Sequence, residues 1–150
     1  RYSLEHRKQT FTALESELGA MQAYLEIEKA RFGDRLRFSV DATPEALTHR
    51  VPTFILQPLV ENALKWGFHQ SANAMTVDIR AFQTAGVLEI EVMNNGHLES
   101  TSRDKAGGIG LDTLSRRLEI YYPARHHFTL DQRGNVVCAT IQLWGAAEAV

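Results

Sequence analysis

The 150-residue chain has room for one compact domain with its own core, and its 44% hydrophobic and 23% charged composition is that of an ordinary globular protein. A net charge of -2 and a pI near 6.3 supply no basic field for a phosphate backbone, which argues against nucleic acid as a partner and leaves any anionic ligand to a local constellation. The single cysteine, Cys138, excludes an internal disulfide and favours a reducing compartment such as the cytoplasm, and no apolar run approaches the roughly 20 residues of a membrane span.

The N-terminus has no signal-peptide core, and the start at Arg1 rather than Met leads us to expect further sequence upstream, with room there for a membrane anchor. The first element is helical. Phe11, Leu14, Leu18, Met21, Leu25 and Phe32 recur in steps of three and four, Thr12 and Glu15 have capping-box spacing, and Gly33-Asp34 would end the helix. Residues 36–40 alternate as a short strand, 41–50 read as loop, and Val51-Pro52 leads into a second helix over about 53–66. Residues 75–82 and 87–93 read as a strand hairpin across Thr84-Ala85-Gly86. A polar, glycine-bearing loop covers 94–108, Leu111, Leu114, Leu118 and Tyr121 mark a third amphipathic helix, and 128–130 with 136–143 form a last hairpin around Arg133-Gly134-Asn135. Helices alternating with hairpin-linked strands predict an α+β fold, a two-layer α/β sandwich with a mixed, mainly antiparallel sheet and helices on one face.

Two segments carry chemistry. On a helical wheel, Glu61, Lys65 and Asn62 share an arc of about 100° with Lys65 in the middle, while Ile55, Leu56, Leu59, Val60, Ala63 and Trp66 fill the other side. An oxygen ligand, an amine and a carboxylate together suit a magnesium-nucleotide site, although the same residues also suit a solvated face with a Glu61–Lys65 pair. Pro58 is out of place in a helix interior unless the chain bends or the helix begins there. The second segment is Asn94-Asn95-Gly96 followed by Gly107-Gly108-Ile109-Gly110 before the third helix. Backbone amides and a helix dipole there would cradle phosphate, and Arg116 or Arg117 would reach it or remain solvated.

These blocks resemble the GHKL (HATPase, Bergerat-fold) superfamily of gyrase, Hsp90, MutL and the histidine kinases, and more closely the LytS-like sensor histidine kinases. The resemblance runs from Arg1 to about Leu143 and is carried by residues 24–36, Val51-Pro52, 56–65, Gly108-Ile109-Gly110-Leu111 and Arg117-Leu118. It implies ATP and Mg²⁺ as ligands. Asn62 would coordinate the metal, Lys65 contact phosphate and Glu61 assist phosphotransfer. Gly107, Gly108, Ile109, Gly110 and Leu111 would close a lid over 97–106, and Asn94 and Gly96 would stand where the family's adenine-contacting Asp-x-Gly stands. An Asn thus replaces the Asp, and a carboxamide can still accept from the adenine amino group. Trp66 departs from the subfamily's usual His, as core packing or as a stacking ring. His6 does not match the phosphoacceptor, which would lie before Arg1.

The resemblance further implies two parts: 1–33 as the end of the dimerisation and phosphoacceptor region with its connector helix, and 34–150 as the ATP-binding domain. The expected protein is a two-component kinase, homodimeric in full length. It would work with its own dimerisation domain and a response regulator, as the cytoplasmic part of a membrane-anchored sensor. The rival expectations are a non-catalytic nucleotide-binding regulatory or scaffold module of the same superfamily, a kinase acting on serine in trans, and an interaction domain without ligand.

Overall fold

The computed structural model describes residues 10–70, 74–98 and 108–148, without the side chains of 68–70 and 108–109. In chain order the elements are β1 (Phe11–Ala13), α1 (Leu14–Phe32), β2 (Leu36–Ala42), the short α2 (Pro44–Leu47), β3 (Arg50–Pro52), α3 (Gln57–Gln70), β4 (Met75–Thr84), β5 (Val87–Asn95), α4 (Gly108–Tyr121), β6 (His126–Arg133) and β7 (Val136–Trp144). Strands β2-β4-β5-β7-β6 form one sheet in which only the β2–β4 pair is parallel, and β1 pairs antiparallel with β3 in a separate two-stranded ribbon. This is the expected mixed, mainly antiparallel α+β sandwich.

The alternation in the strands sorts the two faces of the sheet. Met75, Val77, Ile79 and Ala81 are buried, as are Leu88, Ile90 and Val92 of β5 and Val137, Ala139, Ile141 and Leu143 of β7. Most of these join one core with Leu14, Leu18, Met21 and Leu25 of α1, Leu59, Val60, Ala63 and Leu64 of α3, and Leu114 and Leu118 of α4. The opposite face is polar. There Ser39 donates to Asp78 (2.6 Å), Gln142 to Glu89 (2.7 Å), and Glu91 lies between Arg80 (3.9 Å) and Arg133 (3.8 Å). Both hairpins turn in two residues. Ala85 and Gly86 have positive φ (53° and 80°), which matches the strand twist, and Gly134 opens the other turn at φ 60°.

The starts of the first two helices differ from the sequence reading. The first helix begins at Leu14, because Phe11–Ala13 is drawn off into β1 by pairing with Arg50–Pro52; Ala13 is the N-cap and Thr12 caps nothing. Leu14 N–H instead donates to His49 O (2.8 Å), which satisfies one helix-end donor from the residue just before β3. The second helix begins at Gln57 rather than near Thr53. Pro58 therefore sits in the first turn, where its missing N–H has no helical partner to lose.

The turn between β3 and α3 is held from three directions. Thr53 N–H donates to Thr10 O (2.9 Å), and Arg117 of α4 donates to Thr53 O (2.6 Å). Glu17 of α1, 6% exposed, accepts from Ile55 N–H (3.1 Å). Between these anchors Phe54 takes φ 64°, a region that costs a non-glycine residue roughly 1–3 kcal/mol and persists only where its surroundings enforce it.

Two outcomes follow from this packing. Cys138 is fully buried; burial pushes its thiol up from the ordinary range, against smaller opposing effects of the Thr140 hydroxyl and the Arg133 charge. Because the thiolate is the reactive form, maleimide should label the native chain only through opening events, and labelling as fast as in urea-unfolded chain at the same pH would contradict the burial. Glu17→Ala leaves Ile55 N–H without its acceptor inside the protein, so the unfolding free energy should fall by about 1–3 kcal/mol in urea titrations, with a smaller loss in Glu17→Gln. An unchanged midpoint in the Ala variant would remove Glu17 from the account.

Candidate functional site

A narrow cleft lies between α3, the start of α4 and the sheet, lined by Leu59, Asn62, Ala63, Trp66, Val92, Asn94, Leu111, Leu130, Val137 and Ala139. Its position follows from registers already set. Asn94 pairs with Val137 and Val92 with Ala139 on adjacent strands, and Leu130 pairs with Ala139 from the edge strand, so one apolar floor is assembled from β5, β7 and β6. Across from it, Asn62 and Trp66 are one helical turn apart and present together.

Three of the expected site residues meet in this cleft: Asn62, Asn94 and Leu111. Asn94 is 3% exposed and donates one amide N–H to Asn95 O (3.1 Å), which orients the carboxamide and leaves Oδ1 as its acceptor. Asn95 ties the end of β5 down, accepting from Thr76 N–H (2.8 Å) and donating to Ala74 O (2.9 Å). Trp66 is 5% exposed, a packed ring as expected, and it also lines the cleft.

Glu61 and Lys65 are exposed and do not line the cleft. A step of 100° separates Glu61 from Asn62, so turning Asn62 to the cleft carries Glu61 to the flank facing α1. There it accepts from Gln57 Nε2 (2.9 Å), and its carboxylate adds to the effects of burial and of Glu28 in raising the Tyr24 hydroxyl. No ion pair joins Glu61 to Lys65 among the described residues.

The glycine segments behave differently from one another. Gly96 has φ 135° and is clamped by the far hairpin: its N–H donates to Asn135 O (2.8 Å) and its carbonyl accepts from Gln132 Nε2 (2.8 Å). Gln132 also accepts from Leu98 N–H (2.8 Å), a positioning role with no signal in its exposed place on the edge strand. Gly108, Ile109 and Gly110 are already in α4, one turn earlier than expected, and a Cβ on Gly110 would lie 3.8 Å from Pro58 Cβ, at the start of α3. The two helix starts thus adjoin. Gly107, the lid beyond Leu98 and His6 lie outside the described residues. Arg117 is engaged with Thr53 O, so of the two arginines considered it has a structural partner.

Among known proteins, the histidine kinase family model matches residues 1–36. The chain is 34% identical over 132 residues to the sensor histidine kinase BtsS of Escherichia coli K12, covering 88% of this chain, and 32% identical over 154 residues to the sensor protein LytS of Staphylococcus saprophyticus, covering 94%. It spans 22% and 26% of the lengths of these relatives. Its fold matches the catalytic domain of histidine kinase ThkA at a TM-score of 0.62 and 14% identity, over 90% of this chain and 94% of that one. These likenesses show that the chain belongs to the LytS-like sensor histidine kinases, and its fold is that of the ThkA catalytic domain.

Proposed function

We propose that the cleft binds Mg·ATP and that the chain is the nucleotide-binding half of a protein-histidine kinase. The observation that carries this reading is the meeting of Asn62, Asn94 and Leu111 at one apolar cleft, from three elements far apart in sequence. Aliphatic walls suit a purine face, and the Asn94 Oδ1 supplies an acceptor for an exocyclic amine. The donor set also fits magnesium. Among the described residues no three His, Cys, Asp or Glu side chains gather to hold a metal, and Mg²⁺ commonly binds through one or two protein oxygens together with substrate phosphates. Asn62 would provide such an oxygen.

In this reading Mg²⁺, when bound, would supply charge neutralisation to the transferring phosphoryl group. Asn94 and Gly96 hold the base, and Lys65 contacts phosphate from the exposed edge of α3. Gly107, Gly108, Ile109 and Gly110 bring backbone amides and the start of α4 to the phosphates, with Leu111 packing beneath. Glu61 assists the acceptor histidine. The reaction breaks the bond from the γ-phosphorus to the bridging oxygen, forms a phosphorus–nitrogen bond to that histidine and releases ADP. The acceptor belongs to a dimerisation domain that residues 1–33 would join to the ATP-binding part, 34–150. Homodimerisation, relay to a response regulator and a cytoplasmic position in a membrane-anchored sensor complete the proposal. The histidine kinase ThkA has been solved with the response regulator TrrA, and in this chain no helix of the described residues is long and apolar enough to cross a membrane.

A second reading, nucleotide binding without phosphoryl transfer, draws on Glu61, whose carboxylate is paired with Gln57 on the flank of α3 and lies off the cleft. Calorimetry of Mg·ATP binding tests the common core of both. Binding should require Mg²⁺ and fall at least about tenfold in Asn62→Ala, whereas a folded chain that takes up no Mg·ATP would end both readings. Transfer of phosphate to a supplied dimerisation domain, lost in Glu61→Ala while nucleotide binding persists, separates the kinase from the passive module.

A further inference from the structure

Trp66 stands one turn beyond Asn62 on the same cleft. Its indole Nε1–H is buried and has no hydrogen-bond partner among the described residues, a condition it shares only with the Thr43 hydroxyl. A hydroxyl can rotate and can accept as well as donate, but an indole N–H only donates, in a direction fixed by the ring. Buried tryptophans ordinarily give that N–H an acceptor, because leaving it dry is costly. Of the other lining residues only Asn62 and Asn94 carry a side-chain acceptor, and the indole N–H is paired with neither; Leu59, Ala63, Val92, Leu111, Leu130, Val137 and Ala139 carry none.

Resting on the nucleotide reading of the cleft, we infer that the Trp66 indole N–H recognises the base, donating to a ring nitrogen of adenine while Asn94 Oδ1 accepts from the exocyclic amine. The missing acceptor of Trp66 then arrives with the ligand. The pair reads opposite polarities on one base, a purine with an amine donor and a nearby ring acceptor. This differs from stacking, which is indifferent to the ring nitrogens.

The test compares the chain with Trp66→Phe, which keeps an aromatic ring and removes the donor. Mg·ATP and its 1-deaza, 3-deaza and 7-deaza analogues are titrated by calorimetry. The variant should bind Mg·ATP about 3- to 10-fold more weakly and should match the unsubstituted chain on the one analogue that lacks the accepting nitrogen. Because Trp66→Phe can disturb the core, the unsubstituted chain gives an independent readout: of the indole ¹H–¹⁵N resonances of Trp66 and Trp144, only that of Trp66 should move downfield with Mg·ATP. Equal losses across all four nucleotides, no loss in the variant, or an unmoved Trp66 resonance in ATP-saturated chain would overturn the inference and leave the nucleotide site standing. Failure of the unsubstituted chain to bind Mg·ATP would overturn the nucleotide reading itself and the inference with it.

Discussion

Helix α3 has to fill the core and line the cleft at once, and that double demand governs much of the architecture. Leu59, Val60, Ala63 and Leu64 are sunk among the sheet residues, so the helix cannot slide or roll without opening cavities, and cavities left by large-to-small changes in such cores cost about 2–5 kcal/mol each. A helix fixed on one side is fixed on all sides, because each residue follows the last by a constant rotation. The azimuth of Asn62 and Trp66 is thus decided by aliphatic neighbours, of which Leu59 and Ala63 border the cleft and Val60 and Leu64 do not. Further along, Gly67 permits close approach to the sheet: a Cβ there would fall 3.0 Å from Met75 Sδ.

The floor of the cleft obeys a similar constraint through strand register. Val92 and Asn94 face the helices because β5 alternates against β4 and β7, and a slip of one residue would present Met93 and Asn95 instead. Asn95 opposes such a slip with its two hydrogen bonds to the segment entering β4. The neighbouring asparagines have therefore divided their duties, one closing the strand end and the other facing the cavity.

Much of this was legible in the sequence. Strict alternation at 75–82 and 87–93, two-residue turns and the spacing of Leu111, Leu114 and Leu118 give the sheet and the third helix directly. Harder to read were the elements fixed by distant partners. Phe11–Ala13 becomes a strand only because Arg50–Pro52 lies beside it, and Phe54 is left-handed only because Glu17 and Arg117 grip the residues on either side. The wheel put Glu61, Asn62 and Lys65 on one arc, yet periodicity does not say which edge of the arc meets the sheet, and the structure divides Asn62 from Glu61. Bringing Asn94 and Leu111 to Asn62 came from resemblance, since nothing in local pattern relates positions so far apart. Glu17 did carry a signal: a carboxylate set beside Leu14, Leu18 and Met21 on the buried arc of a helix calls for a donor inside the protein.

The Glu17 to Ile55 bond joins the first turn of α1 to a residue two places before α3. Coupling free energies are reciprocal, so any work done on α1 that draws Glu17 away from Ile55 must appear as altered affinity at the far side of α3 if the turn moves with it. Equally, a ligand seated against Asn62 would stiffen α1 against displacement by the same amount. A 19-residue helix of roughly 28 Å, gripped near one end by a buried carboxylate, is then a lever whose load is whatever occupies the cleft.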